Sequence, residues 1–135
     1  MSTICYPKGL EAFLQGDVDV LADPIRVIMV TSSYVYSSAH DALNDVGVGY
    51  RVGSSVLLSG KVVSGGTLTA NDVTFASVAG GSTVTALIVY QDTGVESTSR
   101  LLAYIDRRAD TTPISLATNG GNVVWTWPGG RVLKI

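Results

Sequence analysis

Cysteine, histidine and charge are all scarce in this chain of 135 residues. With Cys5 as its one cysteine, no disulfide can form within the chain, and its stability must come from a core. Folding without disulfides suits a reducing cytoplasm. Cys5 and His40, each the only one of its kind, make no zinc set. His40 lies next to Asp41 in sequence, but no nucleophile-elbow motif accompanies it, so no Ser-His-Asp site is assigned. Charged residues make up 15% of the chain, against about 25% in an ordinary soluble domain. The net charge is −2, and Arg107-Arg108 is too short to form a basic patch, which argues against a groove that neutralises nucleic-acid phosphates. No apolar run approaches the ~20 residues of a membrane helix. The N-terminus shows no basic segment leading into an apolar core, so no signal peptide is read there. Catalytic, metal and cofactor sites are therefore expected to be absent, and membrane and direct nucleic-acid partners likewise.

What the chain does have is apolar and strand-forming. Hydrophobic residues reach 46%, and valine, threonine, serine and glycine dominate, a mixture that favours strands and turns. The length fits one domain over 1–135. The strongest signal is Thr83 to Asp106, where two β-rich runs flank a polar segment, the pattern of a hairpin. In the first run Val84, Ala86, Ile88 and Tyr90 alternate with Thr85, Leu87, Val89 and Gln91. In the second, Leu101, Ala103 and Ile105 alternate with Leu102, Tyr104 and Asp106. Both faces are largely apolar, which predicts central strands covered on both sides.

Shorter elements surround that hairpin. Leu10, Phe13 and Leu14 recur at helical spacing over Lys8–Gln15, and Gly16 stops the run, predicting a two-turn helix. Asp17, Asp19 and Asp23 fail the calcium-loop pattern, since its glycine and glutamate positions hold Ala22 and Ile28, and they read as a polar connector. Ile25–Val30 reads as a core strand, and Asp41–Asp45 as a helical turn. The glycines of Gly47–Gly53 lack the spacing and context of a dinucleotide loop and read as turn and bulge formers. Strands follow over Ser54–Val63 with an interruption at Gly60, over Thr67–Thr69 and over Asp72–Phe75, with Ser64-Gly65-Gly66 as a turn. Ile114–Leu116 reads as a strand that Asn119-Gly120-Gly121 joins to Asn122–Trp127, and Pro128-Gly129-Gly130 as a type II turn before a closing strand at Arg131–Ile135. This spacing predicts an all-β fold with one or two short helices, an antiparallel β-sandwich or a jelly-roll-like, partly closed barrel.

Two aromatic pairs have rival readings. Tyr34 and Tyr36 share a face of an extended segment and either anchor an interface or pack over the edge of the core. Trp125 and Trp127 share a strand face and either fill the core or stack on sugars, as in a carbohydrate-binding module; the large apolar area of each ring favours the core.

Three segments together resemble small structural proteins of tailed bacteriophages. They are Tyr6–Asp19 continuing through Ile25–Val30 to Tyr34 and Tyr36, then Asp72–Ala76 running into Ala86–Gly94, and last Ser97–Asp106 with Asn119–Trp127. The resemblance covers most of the chain in order and implies a β-rich virion component made in the host cytoplasm. The leading role is a capsid decoration or cement protein on the major capsid protein, with a tail or head–tail joining role, or contact with another virion protein, as the alternative. Sparse charge and the polar loops Thr31–Ser38 and Gln91–Arg100 add the expectation of a closed homo-oligomer, a trimer being favoured, that attaches through its loops. The contact residues expected are Tyr34, Tyr36, Asp92, Glu96 and Arg100, the last three as exposed pairing groups or as an ordinary solvated hairpin tip.

Overall fold

The structure is a computed structural model and describes residues 3–108 and 112–134. Its strands are β1 (Thr3–Cys5), β2 (Ile25–Val30), β3 (Arg51–Leu57), β4 (Val62–Ser64), β5 (Thr67–Thr69) and β6 (Val73–Phe75). They continue with β7 (Thr83–Val84), β8 (Ala86–Gln91), β9 (Leu101–Ile105), β10 (Leu116–Ala117), β11 (Val123–Trp125) and β12 (Arg131–Lys134). A single α-helix, α1 (Pro7–Leu14), lies between β1 and β2 among the described residues. The fold is all-β with antiparallel sheets and a short helix, and its sheets do not close into a barrel.

The two apolar runs form the middle of a five-stranded sheet in the order β1-β9-β8-β2-β3. β8 is central, its partners set by Ile28↔Ile88 on one side and Ile88↔Tyr104 on the other. Every residue of β8 is buried, because the sheet is covered on both faces. Leu87 and Val89 join the main core with Val27, Met29, Phe75, Trp125 and Trp127. Ala86, Ile88 and Tyr90 join a second cluster with Tyr6, Ile28, Val30, Tyr34 and Leu101. A fully buried Leu or Ile contributes about 1.5–3 kcal/mol over an exposed one, so these two clusters account for the sheet's position in the fold.

Strict alternation fails in β9. Val89 faces Ala103 and Tyr90 faces Leu101, which leaves Leu102 as an extra residue. The bulge turns Leu102 and Ala103 both to the main core and Leu101 to the second cluster, correcting the expected two sets. The first run is also broken: Thr85 N–H donates to Val30 O, and Thr83–Val84 pairs instead with β10.

The main core is closed from the other side by shorter sheets. β4 and β5 form a hairpin through Gly65 and Gly66, both at positive φ (59° and 76°), as a two-residue primed turn needs. β12 pairs with the other edge of β5. The turn before it has Gly130 N–H donating to Trp127 O with Gly129 at φ 63°, the geometry expected of the Pro-Gly pair. Asn119-Gly120-Gly121 does not make the expected hairpin of 114–116 with 122–127. β10 pairs with β7 and β11 with β6, so 73–84 and 116–125 form one interrupted antiparallel ribbon. Its gap is bridged where Gly120 N–H donates to Val78 O and Val78 N–H to Gly121 O.

Pro7 opens α1, and Gly16 at φ 79° follows its end. The helix packs on β9 through Gly9 and Ala12, while Leu14 of the expected apolar stripe is 88% exposed. Gly9 touches the β9 backbone so closely that a Cβ there would lie 2.3 Å from Leu101 O.

Candidate functional site

Two long connections, 31–50 and 92–100, cover the face of the sheet that carries the tyrosines. They are joined by backbone bonds from Leu43 N–H to Ser99 O and from Leu101 N–H to Asp41 O. Short 3-10 turns at Leu43–Asp45 and Glu96–Thr98 stiffen them. The first is capped by Asp45, whose Oδ2 accepts from the amides of Asp41 and Ala42. The Thr93, Thr98 and Ser99 hydroxyls knot the second, with Thr93 and Thr98 oxygens 2.5 Å apart.

Three ion pairs fasten the second loop, two to the sheet and one to the first loop. Arg51 holds Glu96 with both guanidinium ends, at 2.8 and 3.1 Å, and also donates to Val46 O and Leu43 O. Its guanidinium holds the Glu96 carboxyl below the ordinary range. Arg100 pairs with Asp41. Arg26 Nε lies 2.9 Å from Asp92 Oδ2, but the N–H is misdirected, so this is an ion pair and not an aligned hydrogen bond. Asp92, Glu96 and Arg100 thus each have a partner within the chain.

The tyrosines meet beneath these loops. Tyr34 is 4% exposed, and its hydroxyl lies 2.7 Å from Tyr6 Oη and 2.7 Å from His40 Nδ1. Tyr36 is half-buried with its ring against Tyr6 and Tyr104. Burial pushes Tyr34 up to about 12 and Tyr6 further in the same direction, with the Tyr34 hydrogen bond adding to the Tyr6 shift. The five residues expected at a contact surface therefore share one face of the sheet, Tyr34 inside it and Glu96 on its outside. Their partners Arg26, Asp41 and Arg51 went unassigned in sequence. Arg26 carries a usable signal as the one charge in an apolar strand, whereas nothing local links Arg51 to Glu96 across 45 residues.

The other candidates resolve into structural roles. Trp125 and Trp127 are 2% and 1% exposed and meet edge to face at 6.2 Å. Trp127 Nε1 donates to Asn71 O, so this strand offers no sugar-stacking platform. Asp19 and Asp23 cap their own turn, and Asp23 Oδ2 also accepts from Gln91. Among the described residues no three metal-ligating side chains converge. His40 bonds Tyr34 while Asp41 turns to Arg100, so the neighbouring pair does not converge either. No family model and no curated protein matches the chain.

Proposed function

We propose that this protein is a non-enzymatic structural component of a tailed-phage virion. In this reading it is a decoration or cement protein that binds the major capsid shell as a homo-oligomer, a trimer being favoured. The observation that carries the reading is the fastening of loop 92–100 and loop 31–50 to a sheet buried on both faces. Loops already ordered lose little conformational freedom on binding, which raises affinity without added contacts. Each presents exposed aliphatic surface: Val35 is 74% exposed, Val48 73% and Val95 56%. Many copies on a repeating shell multiply modest contacts into firm attachment. The resemblance to small virion proteins points the same way.

The experiment is mass spectrometry of purified particles from the encoding phage, with heads and tails separated, alongside sedimentation of the purified protein. Expected are the chain in the head fraction at high copy number and a closed oligomer in solution. Absence from particles, together with a monomer at high concentration, would overturn the proposal. Enrichment in the tail fraction would move the role to tail or head–tail joining.

A further inference from the structure

A cleft of about 300 Å³ opens beside the tyrosine cluster, lined by Ser32, Thr85, Tyr104, Asp106, Arg107 and Ile114, with Tyr34 and Pro113 completing it. That volume is at the lower end for small-molecule sites. Its walls differ in chemistry. Ile114 is buried and gives an apolar floor, and the half-buried Tyr104 gives an aromatic side. Among the described residues, the Ser32, Thr85 and Tyr104 hydroxyls and the Asp106 carboxylate form no hydrogen bond or ion pair within the chain. Burial and the neighbouring Asp106 raise Tyr104 above the usual phenol range, which keeps its hydroxyl a neutral donor. The cleft mouth is held by the chain itself, since Ile114 N–H donates to Asp106 O at 3.0 Å and Arg107 bridges Pro113.

We propose that this cleft is a binding site for a single neutral pyranose, such as the terminal sugar of a surface glycan. Adjacent sugar hydroxyls both donate and accept, which suits a carboxylate acceptor beside hydroxyl groups of both capacities. One carboxylate and one guanidinium at the rim leave the cleft without net charge, which favours an uncharged ligand over an anion or a cation. The C–H face of a pyranose is flat and apolar and fits the side of one aromatic ring. A cage for a quaternary ammonium is the less favoured occupant, because Tyr34 is enclosed and Tyr104 is the one ring left partly open. The site is separate from the buried tryptophans and does not depend on the virion reading.

The test is amide shift mapping on the intact protein with methyl β-glucoside, methyl β-galactoside, methyl α-mannoside and N-acetylglucosamine, each titrated alone. Tetramethylammonium serves as counter-probe. Expected are saturable shifts centred on Ser32, Thr85 and Asp106 with at least one sugar, at an affinity in the millimolar range for so small a contact. Asp106→Asn should weaken that binding about tenfold, and Tyr104→Phe, which keeps the ring and its packing, about threefold. Unchanged spectra away from the cleft show that both variants fold. No saturable shift with any of these sugars would overturn the proposal. So would sugar binding that survives Asp106→Asn unaltered, or a response to tetramethylammonium alone.

Discussion

Replacing Gly9 by alanine sets two physical effects against each other in α1. Glycine in a helix interior is about 1 kcal/mol less favourable than alanine, so propensity alone has Gly9→Ala stabilise the protein. Packing argues the reverse. The new Cβ would lie 2.3 Å from Leu101 O, 3.1 Å from Leu102 Cα and 3.3 Å from Leu101 C. All three are backbone atoms of β9 at its bulge, so no side-chain rotation relieves the clash. Either α1 lifts by about 1 Å or the strand yields. Lifting α1 strains the bond from Tyr6 N–H to Leu102 O at 3.0 Å and uncovers Ala12. Overpacking of this kind costs about 1–3 kcal/mol net, which for a domain of this size lowers Tm by roughly 3–12 °C. Gly49→Ala is the internal control. No heavy atom lies within 4 Å of its new Cβ, and the backbone there is not in the left-handed region. It should be neutral or up to about 1 kcal/mol stabilising. Urea unfolding should show a lower midpoint with an unchanged slope for Gly9→Ala, and no such drop for Gly49→Ala. A Gly9→Ala protein at least as stable as the parent would refute the packing argument.

Other expectations follow from the site and the core. Arg51→Ala should cost about 1–3 kcal/mol in urea unfolding, because Val46 O and Leu43 O lose their charged donor. Glu96→Gln should change stability far less, since the carboxylate is exposed; equal losses in the two variants would contradict this assignment. Tryptophan emission should be blue-shifted and shielded from iodide until the protein unfolds, and ready quenching of the folded protein would contradict the burial of Trp125 and Trp127. Tyr34 is raised in the folded state, so its contribution is complete below the ordinary phenol value near 10 and is lost as pH rises through about 12; Tyr6, raised further, goes on losing its contribution above that. For Tyr34 the loss is about 1–2 kcal/mol after allowance for water near its hydroxyl, and a urea midpoint unchanged between about pH 8 and 11 would count against it.

The elements visible in sequence are those whose cause is local. β8 shows itself because its five consecutive apolar residues, 86–90, leave no polar face, and a strand without a polar face must be covered twice. Gly65-Gly66 and Pro128-Gly129 announce turns because they supply backbone angles that other residues avoid. The bulge at Leu102 has no such mark. Leu-Leu-Ala reads equally well as regular strand, and the extra residue is placed by tertiary packing, with Gly9 of α1 pressed against Leu101 O. The partners of β10 and β11 were hidden for a related reason. A glycine turn implies a reversal, but whether the flanking strands then pair with each other depends on what lies beside them, here 73–84. In the loops, sequence marks Asp92, Glu96 and Arg100 as charged and accessible. It cannot say that their partners come from β2, β3 and the 41–45 turn, because an ion pair needs only proximity and leaves no periodic trace.

Those clasps also change what the sparse charge means. A surface poor in charge raises the expectation that some of it is covered by association. In the folded chain, three arginines and three carboxylates on the tyrosine-bearing side are matched to one another. Each pair contributes little stability where it meets water, yet each cancels the field that either partner would project. These matched pairs add little to any field that would steer a charged partner from a distance or repel a second copy. Under the proposed function, recognition by such a face would rest on the shape of fixed loops and on contacts made by exposed valines such as Val35, Val48 and Val95. In the proposed role its association rate would lie near the unsteered range of about 10⁵–10⁶ M⁻¹s⁻¹, with firmness coming from slow release and many copies. That is a workable regime for attachment to a repeating shell, where the partner is present at high local density and encounter is not limiting.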